Sequence, residues 1–167
     1  MSQKPEYFGK YILLEKIAVG GMAEVYLAKV INAENIAKFV AIKRILPQHS
    51  RNQDFIEIFK EEAKIAVHLA HGNIVPIFEF GEEQNQFYLA MEYVEGRNLR
   101  QIVNRNKEHK RHMSIEQCIF VVNESARGLD HAHRCIDGST GRPLNIIHRD
   151  ISPQNIMVSF DGGVKIV

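Results

Sequence analysis

The apolar pattern changes period twice along this chain. Tyr11–Ala18, Glu24–Val30 and Ala37–Ile45 are rich in β-forming residues and separated by turn-rich stretches, Val19–Ala23 and Asn32–Asn35, so they read as three strands, the third ended by Pro47. From Asp54 the period becomes helical. Phe55, Phe59, Ala63, Ala66 and Leu69 or Ala70 form one stripe, with Asp54 as the N-cap and His71-Gly72-Asn73 as the end. Ile74–Phe80 and Gln86–Tyr93 read as two further strands around Gly81–Asn85. Gly96 marks a boundary, beyond which helices dominate. Asn98 starts a short one with Leu99, Ile102 and Val103 inward, and a polar loop, Asn104–Met113, follows. Ser114 and Gln117 form a capping box for a longer helix with the stripe Ile115, Cys118 or Ile119, Val122, Ala126, Leu129 and Ala132. Asp137–Pro143 is turn-rich. Asn155–Phe160 and Gly163–Val167 are short strands joined by Asp161-Gly162, a strong hairpin signal.

Composition narrows the class without naming a function. Of the 167 residues, 45% are apolar and 25% charged, as in an ordinary globular domain, and the formal net charge of +1 gives no bulk electrostatic case for nucleic acid or an anionic membrane. The polar start, MSQKPEYFGK, has no apolar signal core, and no apolar run approaches the ~18 residues of a membrane span. Cys118 and Cys135 lack metal-ligand spacing and read as reduced thiols of a cytoplasmic protein. The pairs His109/His112 and His131/His133 have no Cys or carboxylate partners at ligand spacing.

Two stretches carry chemistry. His148-Arg149-Asp150-Ile151-Ser152-Pro153-Gln154-Asn155 places a carboxylate and an amide five residues apart, so that one tight loop presents both to one cavity. The four fixed positions of the pattern H-R-D-x-x-x-x-N would recur by chance in about one chain in a thousand of this size. Phosphoryl transfer needs such a pair: a carboxylate beside the acceptor hydroxyl, and an amide oxygen that helps hold Mg²⁺ on the phosphates. Val40-Ala41-Ile42-Lys43 puts a lysine on a strand among apolar residues, and an ion there needs a partner. The following helix offers Glu61 and Glu62, of which Glu62 fits better. The turn around Gly20-Gly21, between Ile17 and Val25, is the weakest signal, because a paired glycine turn is often only a hairpin.

Together these stretches resemble the eukaryotic-like protein kinase family, and its bacterial serine/threonine branch in particular. "AVGGMAEVYLAK", "VAIKRI", "FKEEAKIAVHLAHGNIV", "YLAMEYVEGRNL" and "HRDISPQNIMVSFDGGVKIV" occur in the family's order over roughly Phe8 to Val167. The resemblance implies an α+β, two-lobed kinase fold: a tail at 1–10, a complete N-lobe at 11–95 (an antiparallel sheet plus one helix) and the first part of a helical C-lobe at 96–167. It implies ATP and Mg²⁺ as cofactors and a protein substrate with a Ser/Thr acceptor, with no nucleic-acid partner and no membrane contact from this segment.

Asp150 then resembles the catalytic base, Asn155 a magnesium ligand, and Lys43 with Glu62 the phosphate-anchoring pair. Ala18, Val19, Gly20, Gly21, Met22, Ala23 and Glu24 take the place of the phosphate-covering loop, which keeps only the middle of the family's three glycines. Ile17, Val25, Ala41 and Met157 resemble the apolar sandwich for adenine, Met91 the residue guarding the back of the pocket, and Glu92 and Val94 the hinge. Arg149 resembles the arginine of kinases regulated by a phosphorylated activation loop. Ser152 stands where many serine/threonine kinases carry Lys, as the tyrosine branch also lacks that Lys. The family's Asp-Phe-Gly would follow Val167 directly, so the 167-residue piece is expected to be inactive alone and to expose an apolar surface. The competing readings are a nucleotide-binding pseudokinase or regulatory interaction module, and a small-molecule phosphotransferase of kinase-like fold, which would usually carry Gly in place of Arg149.

Overall fold

In the computed structural model, described here for residues 5–31, 35–66 and 68–167, the chain divides into two units. One comprises Met1–Val67 with Ile77–Tyr93, the other His68–Pro76 with Val94–Val167. The expected turn at Asn32–Ala33–Glu34 and the side chain of Ala66 fall outside the described residues.

The first unit is a six-stranded antiparallel sheet with one helix. Its strands are β1 (Glu6–Phe8), β2 (Tyr11–Val19), β3 (Ala23–Ile31), β4 (Ala37–Ile45), β5 (Ile77–Glu83) and β6 (Gln86–Glu92), in spatial order β1-β2-β3-β4-β6-β5. Alternation divides the side chains between two cores. Phe8, Tyr11, Leu13, Tyr26, Ala28, Val40, Ile42, Tyr88 and Ala90 pack on one face. On the other, Ala23, Ile45 and Leu89 meet Ile56, Phe59 and Ala63 of α1 (Gln53–Ala66). Register shifts in β2, between Leu13 and Glu15 and between Lys16 and Ala18, bend the sheet. Its two edges are tied to each other: Tyr11 donates to Glu79 at 2.8 Å, and Gln84 donates to the Tyr7 carbonyl at 3.1 Å.

Several expectations are corrected here. Residues read as part of a tail form β1, because Phe8 is fully buried in the first core. The α1 cap is Asn52, whose Oδ1 accepts from the Asp54 amide at 3.0 Å, so Asp54 lies inside the first turn. Ile56 is buried while Phe55 is only half-buried and rests on His49. The turn before β6 is Gln84-Asn85, with φ of 52° and 60°, a primed hairpin turn. Gly81 stays inside β5 because the Tyr88 ring lies where a Cβ would stand.

The second unit holds β7 (Gly96–Asn98), β8 (Ile156–Ser159) and β9 (Val164–Ile166) in that order, with α2 (Leu99–Glu108) and α3 (Ile115–His133). The hairpin expected at Asp161-Gly162 joins β8 to β9, with Gly162 at φ 94°. Short β7 has no sequence signal of its own. Gly96 lies so close to the Val158 carbonyl that a Cβ would overlap it. The α2 helix continues through Glu108, into the stretch expected as a loop, with a capping box of Asn98 and Gln101.

His68–Pro76 joins this unit rather than the N-lobe range of 11–95, because its backbone pairs there. Val75 N–H donates to the Ile166 carbonyl at 2.8 Å, and Ile166 N–H to the Asn73 carbonyl at 2.9 Å. That pairing also removes Ile74 and Val75 from the strand expected to begin at Ile74. Buried Asn73 donates to Glu124 at 2.8 Å and to the Val164 carbonyl at 2.9 Å.

The packed face of α3 is Val121, Ser125, Gly128 and Ala132, which keeps only Ala132 and half-buried Leu129 of the expected stripe on or beside it. Gly128 lets the Asn73 backbone approach, and the Ser125 hydroxyl is satisfied by the Val121 carbonyl at 2.8 Å. Of the expected stripe, Ile115, Ile119 and Val122 are 75%, 62% and 67% exposed, which makes that side of α3 an apolar surface. Periodicity could not separate the two sides, because this helix is apolar on both.

Two carboxylates tie the first unit to pH. Burial pushes the Glu24 carboxyl up, but hydrogen bonds from Lys16 and Arg44 more than offset it and leave it below the ordinary value of 4.5. Glu79 is likewise raised by burial and lowered further by Lys10, Tyr11 and Tyr88. A carboxylate depressed in the folded state stabilises above its unfolded value, and that contribution is lost as pH falls through its folded value. The thermal midpoint should therefore hold steady above pH 4.5 and fall on further acidification, less so in Glu24→Gln; a midpoint that rises below that pH would contradict the assignment.

Candidate active site

In the first unit, register decides what shares a face. Val25 pairs with Lys43, and Lys43 with Leu89; Leu27 pairs with Ala41, and Ala41 with Met91. Directly paired residues lie on one side of a sheet, and so do residues two apart along a strand. Val25, Ala41, Lys43 and Met91, all named from the sequence, therefore share the face on which α1 packs. Lys43 Nζ meets Glu62 Oε1 at 2.6 Å and lies 5.8 Å from the centre of the Phe59 ring. Glu61 pairs instead with Lys64, at 2.7 Å. Lys43 is 24% and Glu62 43% exposed, so the pair contributes roughly 1 kcal/mol or less to stability. Its value is positional: it holds an ammonium at a set place on the sheet.

The Gly20-Gly21 turn is closed by a Gly20 N–H bond to the Ala23 carbonyl at 2.8 Å. Ile17, Ala18 and Val19 are exposed, Met22 is half-buried, and Ala23 is buried in the core against α1. Glu24 departs from its expected place in the nucleotide set. Its side chain leaves on the opposite face and is taken by Arg44 at 2.8 Å and Lys16 at 2.6 Å. Met91 is buried at the end of β6, Glu92 is that strand's last residue, and Ala41 is buried beside Met91.

In the second unit, the loop before β8 is built around Asp150. Asn155 Nδ2 donates to the Asp150 carboxylate and to the Asp150 carbonyl, both at 2.9 Å. The amide nitrogen is thereby committed, and the amide oxygen remains as the donor atom for a hard cation such as Mg²⁺. Arg149 is held at φ 64°, a left-handed conformation that reverses the chain just before the carboxylate. His148 joins the two ends of this segment: its Nδ1 accepts the Asp150 N–H at 3.3 Å, which leaves Nε2 to donate to the Val167 carbonyl at 3.1 Å. Val167 N–H in turn bonds the Asn155 carbonyl at 3.0 Å. Met157 is half-buried on β8, and Val94 is buried at the start of this unit's main segment. The Ser152 hydroxyl donates to Gln154 Oε1 at 3.5 Å, and its carbonyl accepts the Asn155 N–H at 3.0 Å. A cavity of about 520 Å³ lined by His68, His71, Arg127, His131, Arg134 and Cys135 contains none of the residues expected to bind nucleotide or to act in transfer.

Sequence reasoning missed three supporting residues: His148 as the loop's tie, Asn73 as the anchor of β9, and Arg44 as the partner of Glu24. His148 was visible in the motif. Asn73 and Arg44 act through residues distant in sequence and left no local trace.

Comparison with known proteins places these features in a family. The protein kinase domain family matches residues 11–167. This chain belongs to that family. Curated relatives include a tyrosine-protein kinase, MasK, of Myxococcus xanthus, 39% identical over 160 residues and 96% of this chain. The serine/threonine-protein kinases PrkC of Bacillus subtilis and PknB of Mycobacterium leprae are 34% and 32% identical over 95% and 100% of it. The chain spans 25%, 22% and 25% of those three relatives' lengths. Among solved structures, the PknI kinase domain of Mycobacterium tuberculosis matches 97% of this chain and 60% of its own, with a TM-score of 0.74 at 23% identity. The fold is therefore the α+β kinase fold expected from the sequence. Among the described residues, no helix is long and apolar enough to cross a membrane.

The Asp150–Asn155 geometry carries its own test. Asn155→Ala removes both hydrogen bonds to Asp150, worth about 1–3 kcal/mol where one acceptor is charged. Amide exchange over Asp150–Val158 should quicken by roughly tenfold or more. Unchanged exchange would show that Asn155 does not order the loop.

Proposed function

We propose that this chain is the nucleotide-binding and catalytic-loop part of a protein kinase that transfers the γ-phosphoryl group of ATP to a serine or threonine hydroxyl. The observation that carries the reading is the Asp150–Asn155 pair at 2.9 Å, supported by the Lys43–Glu62 pair at 2.6 Å. These are the two charge arrangements that phosphoryl transfer asks of a protein.

The first unit's part is to hold ATP. Lys43, kept in place by Glu62, binds the α- and β-phosphates, and the backbone of residues 18–24 covers them. Ile17, Val25 and Ala41 give adenine an apolar surface, Met91 limits its depth, and Glu92 bonds its edge through the backbone. The second unit's part is transfer. Asp150 takes the proton of the acceptor hydroxyl as that oxygen bonds to the γ-phosphorus. The bond from that phosphorus to the β–γ bridging oxygen breaks, and ADP leaves. The Asn155 amide oxygen is the residue atom fitted to hold Mg²⁺, which when bound neutralises charge on the phosphates. Arg149 is placed to pair with a phosphate on an activation loop.

A tyrosine acceptor is the second reading. Two observations favour it: Ser152 in the place of the usual Lys, and the tyrosine-protein kinase named among the relatives. The pseudokinase reading is disfavoured by Lys43, Asp150 and Asn155 all being present.

In the complete gene product, Asp150→Asn should abolish phosphate transfer while sparing nucleotide binding; full activity would remove Asp150 from its role. Lys43→Met should lower the rate by roughly 100-fold or more, since a misplaced phosphate costs that much; an unchanged rate would break the ATP assignment. Phosphoamino-acid analysis of the product should give phosphoserine or phosphothreonine. Phosphotyrosine alone would decide for the second reading.

A further inference from the structure

Directly behind the nucleotide face of the sheet lies a buried ionic cluster that the proposed chemistry does not use. Glu24 and Arg44, cross-strand partners in β3 and β4, form the rung next to Val25 and Lys43. Both are buried, Glu24 to 3% and Arg44 to 8% exposure. Arg44 is fully engaged. Its Nε donates to Glu24 at 2.8 Å, one terminal nitrogen to Glu6 of β1 at 2.7 Å, and the other to the Tyr26 hydroxyl at 3.1 Å. Its guanidinium also lies 4.6 Å from the Tyr26 ring centre and 5.4 Å from that of Phe8. The second Glu24 oxygen takes Lys16 at 2.6 Å. Burial works against the charge on Arg44, and its bonds to Glu6 and Glu24 restore it.

A buried ion pair is a poor source of net stability, because desolvation cancels most of the attraction. What it provides is register. Lys43 and Arg44 are adjacent cations, and a slip of one residue would exchange their faces. That slip is costly, since it would take Arg44 from Glu24, Glu6 and Tyr26 and turn Lys43 away from Glu62. The same pair sits at the base of the Gly20-Gly21 turn, where the Leu46 N–H also bonds the Met22 carbonyl at 2.9 Å. The spacing between that turn and Lys43 is therefore set from behind.

We propose that Arg44 and Glu24 are positioning residues for the phosphate site: their ion pair holds the strand bearing Lys43 in register with the glycine turn, and Glu6 couples strand β1 to that hold. The proposal rests on the kinase reading and sharpens it, because it makes the opposite face of the sheet a determinant of ATP affinity.

The test uses the complete gene product. Arg44→Met alone leaves Glu24 short of its main partner and should lower the melting temperature. The double variant Glu24→Gln/Arg44→Met removes the uncompensated charge and should melt close to wild type. If the pair positions Lys43, the double variant still shows a KM for ATP raised roughly tenfold, with the KM for the acceptor protein unchanged. A double variant with wild-type melting and wild-type KM for ATP overturns the proposal. Glu6→Gln, at the exposed rim of the cluster, should leave melting unaltered and raise the KM for ATP by roughly threefold. Should the double variant fail to fold, a wild-type KM for ATP in Glu6→Gln overturns the proposal by itself. A wild-type protein that neither binds ATP nor transfers phosphate would instead fell the kinase reading, so the two failures are distinct.

Discussion

Two adjacent cations leave one strand on opposite faces, and each meets its own carboxylate. Lys43 goes to Glu62 of the packed helix, and Arg44 to Glu24 of the neighbouring strand. The first unit depends on that division. It follows from strand alternation, but alternation alone would accept either register. The nine unbroken pairs between β3 and β4 are held in one register by having charge on both sides of the strand and a fitted partner for each charge. The helix α1 is placed by apolar contact rather than by charge. Its apolar side, Ile56, Phe59 and Ala63, packs on the sheet, and that packing brings Glu62 to Lys43.

The second unit answers a different constraint. The loop before β8 is short, irregular and partly exposed, so it cannot be ordered by a core of its own. Hydrogen bonds order it. Asn155 holds Asp150, His148 spans to Val167, and Val167 returns to Asn155. That ring depends on β9 being in place, and β9 is fixed by Asn73 together with the backbone pairing of the 73–75 segment. A polar residue far away in sequence thus supports the loop that holds Asp150.

Much of this was legible in the sequence. The strands at Tyr11–Val19 and Ala37–Ile45, the cap at Ser114 and the Asp161-Gly162 hairpin follow from local rules. So did the meeting of Lys43 and Glu62, because a lysine among apolar strand residues needs a partner and the next helix is rich in carboxylates. What failed was whatever depends on distant contacts. The face that α3 buries includes Ser125 and Gly128, the latter against the Asn73 backbone, and neither residue carries a hydrophobic signal, so periodicity missed most of that face. The assignment of 68–76 to the second unit rests on backbone bonds to β9, which no window around those residues encodes. Glu24 was placed with the nucleotide residues by its position in a motif, whereas strand parity sends it to the other face.

The central claim is that Lys43 and Asn155 are phosphate and metal residues. It is tested most directly by a structure of the complete gene product bound to a non-hydrolysable ATP analogue and Mg²⁺. The account predicts Lys43 Nζ within hydrogen-bond distance of a phosphate oxygen with Glu62 still on it, and the Asn155 amide oxygen on the cation while its nitrogen keeps Asp150. A nucleotide bound elsewhere, or a cation held without Asn155, would contradict it.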